Sequence, residues 1–454
     1  MIYCKATIMD ILRVKRKCLE ILERVEFEGA YLHIVLQKEA ERPSKAPEEY
    51  PIVVQLVRGV LEQRQTLESL LEPMLPQGIG SLPVEIQLIL KLGAYQICFL
   101  DRVKKRDVVF EAVELVKKGR YRGLAGLVNA VLRKVGSSDE TSCSSLVVES
   151  SEANFPVWLI ERWYEQFGAD EVKAFCAASD RPLPLYLRVN TNRITPSELE
   201  AQLRREGLQV ERSDLSPVSL KVLSLPSDKR IQHLKSFTQG LFFIQDLSST
   251  LVSDLVGRNA PSLVRDLCAA PGGKTCSVAL SIQGHGGQVH ASDRVASRVR
   301  LVDKLTSSLG VVNVTCWEED ASVGAGEASQ LYDAVLVDAP CSGFGTVGRK
   351  VDARWSKSPE IFGELVELQA RLLDRAAKLV RPGGGVLVYS TCSIDRAENE
   401  EVSEAFLART PGFVHSPVSE DLPKYVCTAE GFYRAWPHRH QMAGAFAARF
   451  LRAD

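Results

Sequence analysis

Two short apolar runs each end in a breaker that carries a cysteine. Ala334-Val335-Leu336-Val337 leads into Asp338-Ala339-Pro340-Cys341-Ser342-Gly343, and Val386-Leu387-Val388 leads into Tyr389-Ser390-Thr391-Cys392-Ser393. Runs of this length and composition are expected as buried parallel strands. Open α/β sheets place ligands at strand C-termini, so both thiols are expected on one sheet rim. A third strand end upstream carries Asp266-Leu267-Cys268-Ala269-Ala270-Pro271-Gly272-Gly273-Lys274-Thr275.

From Leu241 onward strand and helix patterns alternate, which predicts a doubly wound parallel sheet. Its strands should start near Val264, Gln288, Val314, Tyr332 and Gly385. The helix before the last of these shows a stripe at Ile361, Leu365, Leu368, Leu372, Ala376 and Leu379, and Arg381-Pro382-Gly383-Gly384 stops it. Ala445–Leu451 is expected to add a terminal antiparallel strand.

The first part of the chain differs. Ile11, Val14, Cys18, Ile21, Leu22 and Val25 recur at helical spacing, as do Val54, Val57, Val60 and Leu61, then Ile86, Ile89, Leu90 and Ala94. Glu41–Tyr50, with Pro43 and Pro47, reads as a loop, and the serine-rich stretch Gly136–Ser151 as a linker. Between linker and sheet, Leu185–Val189 alternates like a strand. Thr195-Pro196-Ser197-Glu198 has the form of a capping box, and Gln209-Val210 and Lys221–Leu223 suggest further short strands. The expected organisation is therefore multidomain: an all-α head (1–140), a linker (141–155), a small α+β module (156–240) and a C-terminal α/β Rossmann-like domain (241–454).

At 45% apolar and 25% charged residues the composition is that of a globular chain. A net charge of -1 gives no global attraction to nucleic acid, so RNA contact must come from local patches. Eleven cysteines without a CxxC pair fit free thiols in a reducing compartment, and a cytoplasmic location is expected. Neither a signal-peptide core in Met1–Arg16 nor an apolar run of spanning length is present. Among seven histidines, only His438-Arg439-His440 alternates as if on one strand face. No third ligand accompanies it, so no metal is expected.

The run Ala270–Thr275 is not a Walker loop, because Cys268 stands where the first glycine belongs, and GxGxxG is absent as well. What remains is a tight turn through which backbone can approach a ligand. Asp293 ends the next strand about twenty residues on, a distance that suits an acid facing ribose hydroxyls. Glu319-Asp320 follow the third strand. Read singly, Asp293 is a helix cap and Asp320 a solvated loop acid. Read together, turn, acid and acid suit adenosine joined to something other than a pyrophosphate, as in S-adenosylmethionine.

Most free cysteines are small buried hydrophobes, and that reading is applied to Cys4, Cys18, Cys98, Cys143, Cys176, Cys276, Cys316 and Cys427. Cys268, inside the glycine motif, is also expected to pack. Cys341 and Cys392 differ in entering loops at strand ends. Two thiols suit a methyl donor for one reason. Carbon 5 of cytosine is a poor nucleophile until a thiolate adds to carbon 6 and makes the ring enamine-like. The adduct must then lose its carbon-5 proton and expel the thiol, a step that a second group can assist. Asp338 is placed to stabilise charge on the ring.

Asp266–Thr275, Asp338–Thr346 and Ser390–Ser393, in that order, resemble the Sun-type (Nol1/Nop2/Sun) RNA cytosine-5 methyltransferase family. The likeness extends through Arg188-Val189-Asn190, Gln245-Asp246 and Asp352–Trp355, and covers roughly Phe155 to the C-terminus. It implies catalytic roles for Cys392 as nucleophile, Cys341 in product release, Asp338 at the base and Lys274 near the reaction centre. It implies S-adenosylmethionine as cofactor, held by Cys268, Ala269, Ala270, Pro271, Gly272, Gly273, Lys274, Asp293, Arg298, Asp320 and Asp338. Leu92-Gly93-Ala94-Tyr95-Gln96 and Gly126–Arg133 resemble the helical NusB family. A NusB-like head on a Sun-type domain resembles the bacterial group that methylates a cytosine in small-subunit (16S) ribosomal RNA. That rRNA is the implied partner, with a monomeric protein and neither membrane nor metal. Transfer RNA is the rival substrate, and a noncatalytic RNA-binding assembly protein the rival class.

Between Asp101 and Lys134 lie ten Lys/Arg (102, 104, 105, 106, 117, 118, 120, 122, 133, 134) against four acids (101, 107, 111, 114), and RNA contact is expected there. Arg349, Lys350, Arg354 and Trp355 are expected to grip phosphate and stack a base, with a core position as the equal alternative for Trp355.

Overall fold

The structure is a computed structural model and describes residues 8–41, 49–101, 103–137, 151–226, 230–323 and 330–453. The proline loop at 43–47, the linker at 138–150, and Cys4, Arg102 and Cys143 lie outside the described residues. The chain divides into two compact units, Met1–Asp180 with Arg349–Ser356, and Arg181–Gly348 with Lys357–Asp454.

The first unit is helical. Its described helices include Ile8–Glu26, Tyr50–Glu62, Val84–Phe99, Lys105–Lys117 and Ala125–Ser137. Val84–Phe99 is the central one, and a continuous run from Leu88 to Ile97 is buried. Packing is close enough that a Cβ at Gly59 would overlap the Tyr95 ring, so only glycine lets that ring lie on its neighbour. Burial extends to charges, which are tolerated there only when paired. Lys15 meets Glu111 at 2.7 Å, and Lys91 meets Glu26 at 2.8 Å and Glu68 at 2.6 Å. Burial pulls the Lys15 pKa down despite the opposing pull of Glu111.

The segment Arg349–Ser356 belongs to this helical unit, and its details correct two expectations. Arg354 is fully buried rather than free to grip phosphate. It pairs with Asp180 at 2.9 Å, donates to the Ser179 carbonyl at 2.9 Å and stacks 4.5 Å over Phe155. Trp355 donates from Nε1 to the Leu61 carbonyl at 3.1 Å and lies under Arg64, so its ring serves packing rather than a base. Val351 is fully buried in the helical core. Eight residues that sequence places beside a catalytic loop thus act as a plug, because the helical core supplies the apolar and carbonyl partners they need.

In the second unit, β1 (Leu185–Val189), β2 (Gln209–Arg212), β3 (Ser219–Ser224) and β4 (Phe242–Ile244) form an antiparallel sheet in the order β2-β3-β1-β4. The helix Pro196–Arg205 covers it, opened by Thr195 and Glu198 in the reciprocal capping expected from sequence.

The larger sheet contains β5 (Leu263–Asp266), β6 (Gln288–Asp293), β7 (Val314–Glu318), β8 (Ala334–Asp338), β9 (Val386–Thr391), β10 (Phe413–His415), β11 (Tyr433–Ala435) and β12 (Ala445–Arg452). Its order is β10-β12-β9-β8-β5-β6-β7, with β11 also paired to β12. The strands β5 to β9 are parallel, and β12 inserts antiparallel beside β9. The chain builds outward from β5 to β7, then returns to lay β8 on the other side of β5. That reversal is the topological switch point where such sheets open a crevice.

Two further expectations are corrected here. The helix Pro359–Leu379 buries Phe362, Gln369, Leu372, Leu373, Ala376, Ala377 and Leu379, while Ile361 is exposed. Leu372, Ala376 and Leu379 of the expected stripe are buried, and the inner face widens to include Gln369, which points inward to buried polar partners. His438–His440 lies in the one-turn helix Pro437–His440, not on a strand. Among the described residues, no cluster able to hold a metal is present, and no helix is long and apolar enough to cross a membrane.

Removing one partner of a buried ion pair leaves a desolvated charge, which costs about 3–5 kcal/mol. Arg354→Ala should therefore lower the unfolding free energy, read by circular dichroism in a denaturant titration, by up to that order, since Asp180 keeps 22% exposure. A midpoint equal to wild type would return Arg354 to the surface.

Candidate functional site

Three loops converge at the C-terminal edge of the switch point. The first leaves β5 at Asp266 and turns into the helix Gly273–Ile282. Gly272 sits at φ +103, and a Cβ there would come within 3.1 Å of Val302, so the turn needs glycine for both conformation and space. Asp266 is buried, with Oδ2 accepting from Thr275 at 2.7 Å and Oδ1 without a partner. Burial pushes its pKa up to about 6, against the pull of the Thr275 hydrogen bond. Nearby, Gln245 spends its carbonyl on Thr250 and Ser277, and its buried Nε2 has no partner.

Asp293, at the end of β6, is nearly fully buried. One oxygen accepts from the Ala270 amide at 3.3 Å and faces Arg298 at 3.4 Å, and the other accepts from the Val295 amide at 3.2 Å. Arg298 in turn donates to the Ala270 carbonyl at 3.0 Å. The acid and arginine expected around a ribose thus clasp the glycine turn itself. Asp320 follows β7 and accepts from the Ser322 amide and hydroxyl, which hold its pKa below the usual carboxylate range. Beneath it, Arg265 is buried, pairs with Glu319 at 2.5 Å and lies 4.3 Å over Trp317. Cys268 packs partly buried against the core beside Ala269 and Pro271, and burial raises its pKa.

The second and third loops carry the thiols. Asp338 ends β8, and its register partner in β9 is Ser390. Ser390 donates to one Asp338 oxygen and Lys274 to the other, each at 2.8 Å. Burial works against the Lys274 charge, but the Asp338 carboxylate outweighs it, with Cys392 and Asp266 adding to the same side, and the lysine pKa rises. Cys341 Sγ and Cys392 Sγ are 3.3 Å apart. The hydrogen bond to Cys392 and then burial raise the Cys341 pKa well above the ordinary thiol value, and the charge of Glu398 adds to this. The four residues expected from sequence to be catalytic therefore form two contacting pairs on adjoining loops.

Sequence reasoning missed the groups behind the thiols. Glu398, Asn399 and Gln369 are fully buried and bonded to the cysteine loops. Glu398 lies in the charge-dense run Arg396-Ala397-Glu398-Asn399-Glu400-Glu401, which reads as a solvated face. No local pattern distinguishes its inward carboxylates, Glu398 and Glu400, from Glu401.

An orphaned carboxylate oxygen at β5, an orphaned amide at Gln245 and acids after β6 and β7 fit a ligand with an amino-acid end and a nucleoside end. Together with the strand order, they define a Rossmann-like methyltransferase. The sequence matches the family described as 16S rRNA methyltransferase RsmB/F over residues 257–451, the NusB family over 13–137, and the RsmF/B-like ferredoxin-like domain over 155–226. The probable ribosomal RNA small subunit methyltransferase B of Bacillus subtilis is 33% identical over 451 residues, 97% of this chain and 98% of the relative. A probable methyltransferase B of Synechocystis is 30% identical over 95% of this chain and 98% of its own length. The crystal structure of PH0851 superposes with a TM-score of 0.78 at 25% identity over 96% of this chain and 98% of that one. A methyltransferase homolog from Pyrococcus horikoshii gives 0.58 at 28% identity, covering 66% of this chain and 95% of its own. The chain belongs to the RsmB/F family of rRNA methyltransferases, with a NusB-family head and a ferredoxin-like module.

Burial lifts the Asp266 carboxyl from its ordinary pKa of 3.8 to about 6. Between those values the folded state binds more protons, so stability should fall as pH rises through that window. Asp266→Asn should flatten this part of the stability–pH curve measured by denaturant titration. An unchanged slope would count against a buried, titrating Asp266.

Proposed function

We propose that this chain transfers the methyl group of S-adenosylmethionine to carbon 5 of a cytosine in 16S ribosomal RNA, through a covalent bond between Cys392 and the ring. The observation that carries this reading is the pair of thiols 3.3 Å apart at adjoining parallel strand ends, beside the Lys274–Asp338 ion pair. Family membership supports the rRNA substrate, since the matched relatives are named as small-subunit rRNA methyltransferases.

When bound, the cofactor supplies an electrophilic methyl group. Asp266 would face its amino group, the turn from Cys268 to Gly273 its methionine end, Asp293 and Arg298 its ribose, and Asp320 its adenine. The protein's own groups then divide the work unequally. Lys274 carries a positive charge that interacts with Cys392, whereas Glu398 places negative charge near Cys341. That asymmetry favours Cys392 as thiolate and Cys341 as thiol. Cys392 adds to carbon 6, the displaced electron pair makes carbon 5 nucleophilic, and carbon 5 takes the methyl group. Asp338, with Lys274, stabilises charge on the ring during addition. Once the Cys392 sulfur is bonded to carbon, it no longer binds the Cys341 proton. Cys341 can then lose its proton to water and, as thiolate, accept the carbon-5 proton while the carbon–sulfur bond breaks and Cys392 leaves as thiolate.

The target base must leave its stack or lie in an unpaired loop. The helical head, taken as 1–140 ahead of a module at 156–240 and a catalytic domain at 241–454, is proposed to bind that RNA. Lys104, Lys105, Arg106, Lys117, Lys118, Arg120, Arg122, Arg133 and Lys134 are all exposed on it. The free thiols suit the cytoplasm.

Cys392→Ala should abolish methyl transfer while cofactor binding survives in calorimetry. Turnover near wild type would reverse the thiol roles. Cys341→Ala should accumulate a protein–RNA adduct on denaturing gels, and absence of that band with Cys392 intact would remove Cys341 from product release. Bisulfite sequencing of ribosomal and transfer RNA from a deletion strain identifies the substrate. A site lost from transfer RNA alone would overturn the rRNA assignment. Reversing Lys117, Lys118 and Arg120 to Glu should weaken RNA binding and reduce its salt slope by about 0.7 per lost phosphate contact. An unchanged slope would leave the head without an RNA role.

A further inference from the structure

The two thiol loops are joined from behind by one buried acid. Glu398 is fully buried and bonds both loops beside their cysteines. Its Oε1 accepts from the Ser342 amide at 2.8 Å, and its Oε2 from the Ser342 hydroxyl at 2.5 Å. Ser342 follows Cys341 directly. The Ser342 hydroxyl lies 3.1 Å from that of Ser393, which follows Cys392 and also hydrogen-bonds Glu398. Gln369 donates to Oε1 at 3.0 Å and to the Pro340 carbonyl at 2.9 Å, so the Pro-Cys loop is held at two points. The backbone is anchored too. The Tyr389 hydroxyl donates to the Glu398 carbonyl at 2.5 Å. Asn399 accepts from the Thr391 hydroxyl at 2.5 Å and donates to the Ser393 carbonyl at 3.0 Å.

These partners are neutral donors, and none of them needs an acid for packing. Burial raises the Glu398 pKa, and the bonds from Ser342, Ser393 and Gln369 oppose that rise. A buried carboxyl held this way is expensive and is retained only where its geometry or charge is used.

We propose that Glu398 is the positioning residue of the thiol pair. It locks the Pro-Cys loop to the Thr-Cys loop so that Cys341 and Cys392 stay in contact. When ionised, the same carboxylate also raises the Cys341 pKa. This rests on the two-thiol reading above and names the device that enforces it. The groups around Cys341 are Cys392 and Glu398, with Tyr389, Asp338 and Lys274 on the neighbouring strand and turn.

The test separates geometry from charge. Glu398→Gln and Glu398→Asp are made in the full chain, and methyl incorporation into RNA is measured alongside alkylation of Cys341. Alkylation uses iodoacetamide against pH in a Cys392→Ala background, with peptide mass spectrometry as readout. Glu398→Gln should lower kcat roughly 100-fold through misplacement of the thiols, with KM for RNA and affinity for S-adenosylmethionine within about twofold. It should also shift the Cys341 alkylation profile to lower pH. Glu398→Asp keeps the charge and loses reach, so its alkylation profile should stay near wild type while kcat falls. A Gln variant with wild-type kcat and an unmoved profile overturns the proposal. Should Glu398→Gln fail to fold, Ser342→Ala removes one tie and should cost ~10-fold in kcat without weakening cofactor binding. Unchanged kcat there overturns the proposal equally. The alkylation profile needs no substrate, so it reads the role of Glu398 even if carbon-5 transfer by the wild type were disproved.

Discussion

The parallel pairing of β8 with β9 determines where everything reactive sits. Its register sets Asp338 opposite Ser390, and the hydroxyl of one bonds the carboxylate of the other at 2.8 Å. From that rung each chain has only two or three residues to its cysteine, so the loops have little freedom before the thiols meet. A slip in this pairing would separate Cys341 from Cys392 and break the bond that orients Asp338. The strands are buried on both faces, which gives the register a strong energetic basis.

A second layer of order comes from groups that brace the site loops. Asp293 and Arg298 grip the glycine turn, Arg265 braces Glu319 and Trp317, and Glu398 ties the thiol loops. Asp293, Arg265 and Glu398 are buried, Arg298 is half exposed, and each bonds a residue of a site loop. Preorganised loops suit chemistry in which charge must be met without rearrangement at the moment of reaction. The orphaned atoms at Asp266 and Gln245 are the complement of this pattern, because beside the glycine turn they leave hydrogen-bonding capacity for something else.

Much of this was legible in the chain itself. Apolar runs bounded by breakers located the parallel strands, and the capping box at Thr195 was read residue for residue. The residues at strand ends, Lys274, Asp338, Cys341 and Cys392, were legible because a strand end next to a breaker is a local signal. What escaped were long-range assignments. Nothing around Gln369 reveals that it reaches Glu398 across 29 positions, so a buried polar residue was missing from a face whose apolar stripe was otherwise read correctly beyond Ile361. Arg354 and Trp355 look like ligands for phosphate and base because their partners, Asp180 and Leu61, lie far back in the sequence. Charge and aromaticity are visible locally, whereas burial is decided by the whole fold.

The membership of Arg349–Ser356 in the helical unit has a consequence for synthesis. That unit's core includes Val351, and its buried Arg354 closes on Asp180. On a ribosome, translation from position 180 to 351 takes roughly 10–30 s at ordinary elongation rates. Throughout that interval the nascent head lacks the side chain of Val351 in its core and the counter-ion of Asp180. The first domain to emerge is therefore among the last to be finished.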